Sequence, residues 1–225
     1  MSEGKRIVII GAGGFAREVL DIFDACNDAG DRYDVLGYVV ESPYGVPGTI
    51  INGKPILGGF DWLEGRHRDI HCICGVGAPE LRMRLVSNAA KREARFCSVF
   101  HPSVRMSRRN SIGSGVVIAA GAILTNQIRI GDHVHINLDC TIGHDVVLGD
   151  FVTVAPGTHI SGDVMIETGC NIGTGVNLIN RVTVGEWSVI GAGSTVIRNV
   201  PPNATVVGVP GKVIKQREKD WHVAR

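Results

Sequence analysis

A six-residue repeat occupies most of the C-terminal half of this chain. Read in sixes from Phe100 to Pro201, the sequence keeps one register through 17 hexads, and the first position of every hexad is apolar. These first positions are Phe100, Met106, Ile112, Ile118, Leu124, Ile130, Ile136, Ile142, Leu148, Val154, Ile160, Ile166, Ile172, Leu178, Val184, Ile190 and Val196. A period of six is not helical, and it is too long for the simple alternation of a strand. The repeat therefore predicts a parallel β-helix with three short strands per coil, and 17 hexads make between five and six coils.

Two other hexad positions support this prediction. The fifth position is mainly small, as at Val116, Ala122, Val134, Cys140, Val146, Val152, Val164, Cys170, Val176, Val182, Ser188 and Ser194. Glycine recurs at the second position, as at Gly113, Gly131, Gly143, Gly149, Gly173, Gly185 and Gly191. We expect the first position to fill the interior, the fifth to fit near a corner, and the second-position glycine to relieve backbone strain at the turn. Aromatic residues are only 5% of the chain, which suits a narrow aliphatic interior.

The repeat ends at a pair of prolines. Pro201 and Pro202 cannot donate ladder hydrogen bonds, so we expect the last coil to stop there. A short extended cap follows at 206–212, and the polar tail from Lys215 is predicted to be a frayed helix.

The first hundred residues have a different pattern, in which apolar strands alternate with helical spacing. Such alternation predicts a small parallel sheet of the α/β class, with ligands at the carboxyl ends of its strands. The predicted strands are Ile7–Ile10, Val35–Val40 and Asp69–Cys74, and the predicted helices are Phe15–Cys26 and a charged one near Pro79–Arg95. The predicted organisation is a Rossmann-like domain at 1–99, a β-helix with its cap at 100–214, and a polar tail at 215–225.

A glycine turn lies between the first strand and the first helix. Gly11, Gly13 and Gly14 would leave backbone N–H groups and a helix N-terminus free for a nucleotide phosphate. The motif falls short of GxGxxG because Ala16 stands at its third place, although alanine is tolerated there. A plain tight turn is the alternative. Glu41, which ends the second strand, is either the acceptor for a ribose hydroxyl or an exposed loop carboxylate. A redox Rossmann enzyme is disfavoured, because fewer than 100 residues precede the repeat.

Composition excludes several other classes. The net charge of +1 gives no global attraction to nucleic acid or to an anionic membrane. No run of about 18 apolar residues predicts a membrane span, and no signal peptide is recognised, so a cytoplasmic protein is expected. The six cysteines have no metal-ligand spacing, and we expect them to be reduced and buried.

Four segments, taken in order, carry a resemblance to a known family. They are Ile7–Glu18 around the glycine turn, His101-Pro102-Ser103, Asn137–Asp145, and Gly208–Lys212. Together they resemble the bacterial nucleotide-sugar N-acetyltransferases and sialic-acid O-acetyltransferases, whose coils form a left-handed β-helix. The resemblance implies a homotrimer that transfers acetyl from acetyl-CoA to the 4-amino group of a UDP-, GDP- or dTDP-linked deoxysugar, or to a sialic-acid hydroxyl.

The resemblance also implies a catalytic pair. His144 matches the histidine that acts as general base, and imidazole can accept a proton from an amine near neutral pH. Asp145, the acidic residue after it, would fix the imidazole tautomer and stabilise the imidazolium. The alternative is that His144 is a solvated turn residue, and His133 and His135 are its nearest rivals.

Binding residues follow from the same resemblance. Asn137 would lie near the acceptor amine. The nucleotide sugar would lie along the glycine turn, near Gly11, Gly13, Gly14, Phe15, Glu41 and Gly75. Acetyl-CoA would lie along the later coils between neighbouring subunits, near Gly162, Gly191 and Ala192, with Lys212 toward a CoA phosphate; no metal ligand is expected.

Two positions depart from the family pattern. Phe15 stands where many members have histidine, which affects the sugar contact. Thr153 stands where some members have a second histidine near the thioester, so that position receives no role.

Other functions stay open at this point. O-acetylation of sialic acid or another sugar shares the same motifs. A non-catalytic scaffold, or a hydratase that binds zinc through three histidines, would give the N-terminal domain no purpose. The sequence leaves the nucleotide base, the sugar stereochemistry and the pathway undetermined, and lipopolysaccharide, glycan and capsule synthesis are all compatible.

Overall fold

The computed structural model describes residues 4–66 and 68–223. The chain divides into two compact units. The first runs to Pro102 except for Ala78–Glu80, and the second holds Ala78–Glu80 and the chain from Ser103 onward.

The first unit is an α/β domain around a five-stranded sheet in the order β3-β4-β2-β1-β5. Its strands are β1 (Lys5–Ile10), β2 (Tyr33–Val39), β3 (Ile50–Ile51), β4 (Lys54–Gly58) and β5 (His71–Cys74). Strand β1 pairs in parallel with β2 and β5, and β2 pairs in parallel with β4. The other elements are α1 (Gly14–Asp28), a 3₁₀ helix (Phe60–Leu63), α2 (Pro79–Ala90) and the short strand β6 (Val99–Phe100).

The helix α1 follows β1 after one glycine turn and buries a stripe of side chains, among them Val19, Ile22 and Phe23. This spacing of three and four residues gives a helix one apolar face. The predicted parallel sheet and both predicted helices are confirmed.

The β3–β4 hairpin was not predicted. Asn52 and Gly53 form its turn with φ angles of 46° and 74°. Asn-Gly between two apolar runs is the sequence signal for such a hairpin. This signal lies between Ile50–Ile51 and Lys54–Gly58.

The second unit is a β-helix built from two-residue strands. Each strand joins the sixth position of one hexad to the first position of the next. They are β7 (Arg105–Met106), β8 (Ser111–Ile112), β9 (Val117–Ile118), β10 (Ile123–Leu124), β11 (Arg129–Ile130), β12 (His135–Ile136), β13 (Thr141–Ile142), β14 (Val147–Leu148), β15 (Thr153–Val154), β16 (His159–Ile160), β17 (Met165–Ile166), β18 (Asn171–Ile172), β19 (Asn177–Leu178), β20 (Thr183–Val184), β21 (Val189–Ile190) and β22 (Thr195–Val196).

Every third strand belongs to the same face, so each strand pairs in parallel with the strand 18 residues away. One face runs from β7 to β22, the second from β8 to β20, and the third from β9 through β21. First-position side chains from Ile118 to Val196 are buried, and so are the fifth-position side chains. The predicted β-helix is confirmed, and its architecture matches the left-handed kind.

The corners of the coils show where the backbone is left-handed. Positive φ angles fall at the fourth hexad position from Gly115 to Gly193 without a break. Eight of these residues are not glycine, namely Gln127, His133, Asp139, Asp145, Phe151, Asp163, Arg181 and Trp187. The expectation that second-position glycine relieves turn strain was wrong. A Cβ on Gly143 would lie 2.6 Å from the backbone nitrogen of Gly162, so that glycine is required by the closeness of the next coil.

The β-helix ends in a hairpin. Strand β23 (Ala204–Val207) continues the third face after the prolines, and β24 (Lys212–Gln216) pairs with it antiparallel. The predicted helical tail was wrong as far as the structure describes it, because Lys215 and Gln216 belong to β24 and residues 219–223 form turns. Within them His222 stacks on Trp187 with 3.6 Å between ring centroids. This ring contact anchors the tail on the last coils.

Two other predictions concern burial and hydropathy. All six cysteines are free and buried, as predicted. Burial raises the pKa of the Cys170 thiol to about 12 and that of Cys97 to about 11, which keeps both as unreactive thiols. Neither helix of the described chain has the length and apolar character needed to cross a membrane.

Candidate active site

His144 lies at an exposed corner of the β-helix, two residues after β13. Its Nδ1 is 2.8 Å from Oδ2 of Asp145, and about half of each side chain is exposed. Asp145 is the fourth residue of its hexad, with φ of 60°, a conformation that aspartate tolerates better than most residues. The left-handed corner thus turns the Asp145 carboxylate back toward the ring that precedes it. With Nδ1 held by a carboxylate, Nε2 is the ring atom left to accept a proton.

The next coil supports the imidazole. A Cβ on Gly162 would lie 2.5 Å from the Nε2 of His144, so only glycine leaves room for the ring in this position. Asp163 donates its backbone N–H to the carbonyl oxygen of His144 at 2.9 Å. The polar atoms of His144, Asp145 and Asp163 all lie within 4.8 Å of one another. Exposed groups with this spacing are common without a cation, and we assign no metal to them.

The rival histidines have different environments. His133 is 8% exposed and stacks on Phe151, and His135 is 1% exposed. His159 shares a hydrogen bond of 2.8 Å between its Nδ1 and Thr141 Oγ1. Only His144 among these four combines an exposed ring with a carboxylate partner on Nδ1. The choice between these histidines therefore favours His144.

Asn137 lies at a different corner from His144. It follows β12, and its Oδ1 accepts the N–H of Leu138 at 2.8 Å. The backbone ladder at this corner continues through Ala155 and Gly173 to Gly191, three coils away. Gly191 and Ala192 therefore lie at the same corner of the β-helix as Asn137, in a later coil. Gly162 lies at the same corner as His144, in the next coil. We call the set of residues that occupy one corner in successive coils a corner column. Lys212 is exposed at the start of β24.

The first unit contains a cavity of about 590 Å³. Its lining includes all six nucleotide-sugar candidates of this unit: Gly11, Gly13, Gly14, Phe15, Glu41 and Gly75. It lies at the carboxyl ends of β1, β2 and β5, where ligands of parallel sheets bind. Apolar side chains such as Tyr44, Ile51 and Leu85 complete the wall.

The glycines that line this cavity are required for different physical reasons. Gly11 has φ of 94°, and a Cβ on Gly75 would lie 2.6 Å from the Cα of Ala16, so conformation and packing explain these two. Gly13 has φ of −76°, and a Cβ there would have no heavy atom within 4 Å. It caps α1 without any side-chain hydrogen bond, and the first turn of the helix carries no acidic residue. An open, uncapped helix N-terminus that faces a cavity is suited to a phosphate group.

Glu41 is already engaged in the structure. Its Oε2 accepts from Arg84 at 3.0 Å, and its Oε1 accepts from Asn88 at 3.0 Å. Arg84 also lines the cavity. Sequence reasoning missed both partners, although residues four apart on a helix share a face and this spacing was visible. A role for Glu41 toward a ribose stays a prediction, now with a carboxylate that two side chains orient.

A second residue that sequence reasoning missed is Arg82. Its side chain is fully buried, and Nη1 donates to the carbonyl oxygens of Val76 and Gly77, each at 2.9 Å. The loop after β5 forms one wall of the cavity. A buried guanidinium thus fixes the shape of that wall.

Comparisons with known proteins agree with this architecture. Residues 6–89 match the family model described as the PglD N-terminal domain. The acetyltransferase domain of PglB from Neisseria gonorrhoeae is 28% identical with a TM-score of 0.84, covering 94% of this chain and 100% of that one. The same domain has been solved with acetyl coenzyme A. No curated protein sequence gives a match.

Two further structures are similar over nearly the whole chain. PerB from Caulobacter crescentus, in complex with CoA and GDP-perosamine, is 28% identical with a TM-score of 0.85, covering 95% of this chain and 99% of that one. WeeI from Acinetobacter baumannii is 27% identical with a TM-score of 0.83, covering 93% and 100%. The predicted resemblance to nucleotide-sugar N-acetyltransferases is confirmed, and the chain is an acetyltransferase. The predicted co-substrate agrees with the acetyl-CoA and CoA held by these relatives.

Proposed function

We propose that this enzyme transfers acetyl from acetyl-CoA to the 4-amino group of a nucleotide-linked amino-deoxysugar, with His144 as the general base. The observation that carries the proposal is the hydrogen bond between His144 and Asp145 at an exposed corner of the β-helix. It fixes one imidazole tautomer and leaves Nε2 to take a proton of the amine as the nitrogen attacks the thioester carbonyl carbon. The C–S bond then breaks as the amide forms, and the imidazolium returns the proton to the departing CoA thiolate.

The N-terminal cavity gives the proposal its substrate class. An uncapped helix N-terminus at Gly13 suits a diphosphate, and the apolar wall suits a base and a deoxysugar. A perosamine N-acetyltransferase with this fold is known in complex with GDP-perosamine, a nucleotide-linked sugar. In variants of that enzyme one histidine is replaced by asparagine or by alanine.

The remaining residues take roles that follow from this proposal. Asn137 would contact the acceptor. Acetyl-CoA would lie along the corner column of Gly191 and Ala192, with Gly162 beneath the base and Lys212 toward a CoA phosphate. The small side chains of Gly191 and Ala192 suit the approach of a pantetheine arm. The N–H of Gly191 already donates to the carbonyl oxygen of Val206 at 2.8 Å, so the oxyanion donor at this corner would be the N–H of Ala192. A homotrimer in the cytoplasm, serving polysaccharide biosynthesis, completes the proposal.

The test is steady-state acetyl transfer from acetyl-CoA to a panel of UDP-, GDP- and dTDP-4-amino-deoxysugars and to sialic acid. We expect turnover on one nucleotide-linked amino sugar, and a loss of roughly 10²-fold or more in kcat for His144→Ala. The matched control is His159→Ala, which removes an exposed imidazole from another position of the β-helix. Turnover on sialic acid alone would favour O-acetylation. Full activity without His144 would refute the assigned base.

A further inference from the structure

Asp163 lies one coil beyond Asp145 at the same hexad position. Both residues have left-handed backbones, with φ of 60° and 59°. Equivalent corners of neighbouring coils are separated by about 4.8 Å, the spacing of paired strands. Because the polar atoms of both carboxylates and of His144 lie within 4.8 Å of one another, a single imidazole faces two carboxylates.

The position of Asp163 is fixed by the backbone on both sides. Its N–H donates to the carbonyl oxygen of His144, and the N–H of Arg181 donates to Gly162 at 3.2 Å. The corner is thus tied to the coil before it and to the coil after it. About 44% of the Asp163 side chain is exposed, so the carboxylate is held near the ring while keeping contact with water.

The Asp163 carboxylate also lies near the guanidinium of Arg181. Arg181 holds the same hexad position one coil further on, and its Nε is 3.8 Å from Asp163 Oδ2. Its side chain is 84% exposed, so the charge attraction is screened by solvent. The charges of Asp145, Asp163 and Arg181 sum to minus one beside the imidazole, which favours positive charge on that ring.

We propose that Asp163 is a second positioning carboxylate for the catalytic histidine, an inference that rests on the proposed function. Asp145 holds Nδ1 and thereby selects the tautomer. Asp163 stabilises the imidazolium that forms when Nε2 takes the proton of the acceptor nitrogen. Arg181 limits this effect by withdrawing part of the negative charge.

Kinetics of the full-length enzyme test this division of roles. Asp163→Asn keeps the shape and suits a left-handed backbone, and we expect kcat to fall about three- to tenfold with the KM of both substrates within about twofold. The acidic limb of the kcat–pH profile should move to lower pH, because losing a negative charge makes the imidazolium harder to form. Arg181→Gln should move that limb to higher pH. A purely structural role would lower the unfolding temperature without displacing the limb.

Asp139→Asn is the matched control. Asp139 is exposed, has φ of 54° and holds the fourth hexad position at another corner. We expect wild-type kcat and an unchanged pH profile from it. An equal fall in kcat for the control, or an unchanged profile for Asp163→Asn, would overturn the inference. An effect of Asp163→Asn that vanishes when a chelator is added would also overturn it, because the cluster would then act through a bound metal.

A measurement without substrate separates this inference from the proposed reaction. NMR of the His144 ring in the whole protein should show ring signals that are displaced in Asp163→Asn from those of wild type. If no acceptor in the panel is acetylated but this displacement is seen, the proposed substrate is wrong and the positioning role stands. If acetyl transfer is seen but the ring signals of the two proteins coincide, the positioning role is wrong.

Discussion

Glycine has a different structural role in each of the two units of this chain. In the β-helix the second-position glycines face the backbone of the next coil, so a Cβ on Gly173 would lie 2.7 Å from the nitrogen of Ala192. In the α/β unit Gly13 faces open space and has an ordinary φ angle. Neither packing nor conformation requires glycine at position 13, whereas the proposed nucleotide sugar would require it if its phosphates approach the backbone there. The same residue type therefore indicates architecture in one region and a binding site in the other.

The largest effect we expect comes from replacing a second-position glycine of the β-helix, which is required by packing. Gly173→Ala places a methyl group against backbone atoms of Ile190 and Ala192, which cannot move without displacing a coil. We expect a loss of about 1–3 kcal/mol in the free energy of unfolding, the usual range for overpacking. Denaturant unfolding of the whole chain measures it. An unchanged midpoint would show that the coils can separate locally, and the contrast between the two glycine classes would fail.

A second prediction concerns Gly13, the glycine that we assign to ligand binding. Gly13→Ala should leave the free energy of unfolding within about 0.5 kcal/mol of wild type, because the new methyl group meets nothing. The affinity for the nucleotide sugar should fall about tenfold, or roughly 1.4 kcal/mol, because the methyl enters the space of the ligand. Isothermal titration of the nucleotide-linked sugar checks the affinity, and thermal unfolding checks the fold.

Gly59 provides the matched control for this experiment. Its backbone angles of −80° and −171° almost equal the −76° and −169° of Gly13, and it also begins a helical segment. A Cβ there would touch only the Val40 carbonyl oxygen, at 4.0 Å, and Gly59 does not line the cavity. Gly59→Ala should therefore leave affinity unchanged. Equal losses of affinity in both variants would mean that the loss does not come from direct contact between the ligand and Gly13.

The two units also differ in how much the sequence reveals. The register of 17 hexads predicted the coils of the β-helix up to Pro201, because an apolar residue that fills a narrow prism must recur at a fixed interval. The left-handed fourth position was not seen, since Asp, Phe, Trp, His, Arg and Gln stand there beside glycine. Those residues share a backbone conformation and no side-chain property. A pattern of residue types therefore could not reveal it.

The candidate site shows a similar limit. The resemblance led to His144 and Asp145, and the structure then showed their hydrogen bond. Asp163 and Gly162 come beside them only through the coil geometry, 18 residues along the chain. Arg84 and Asn88 reach Glu41 from a helix more than 40 residues away. Contacts of this kind depend on tertiary packing. The spacing of Arg84 and Asn88 shows that they share a helix face, but no local signal in the sequence specifies that Glu41 meets that face.

The smallest effect we expect uses one histidine from each unit. Burial lowers the pKa of His71 in the α/β unit, and Lys5 and Arg95 lower it further. Burial also lowers the pKa of His222 in the tail, with Asp220 and Glu186 opposing. The unfolded chain takes up a proton near the ordinary pKa of 6.5, whereas the folded chain does so only at lower pH. Both histidines therefore contribute stability that is complete above about pH 6.5 and is lost as the pH falls below it.

Replacing each ring separately shows whether the two units respond independently to acid. His222→Phe retains a ring for stacking on Trp187 and removes the titrating group, so the fall in unfolding temperature between pH 7.5 and 5.5 should shrink by roughly one degree. His71→Gln should reduce the fall by a similar amount through the other unit. Calorimetry of the two variants and of the double variant measures these differences. Reductions that add up would mean that the two histidines titrate independently and that both contribute to the measured transition. A double variant no different from one single variant would mean that the measured transition reports the unfolding of only the less stable unit.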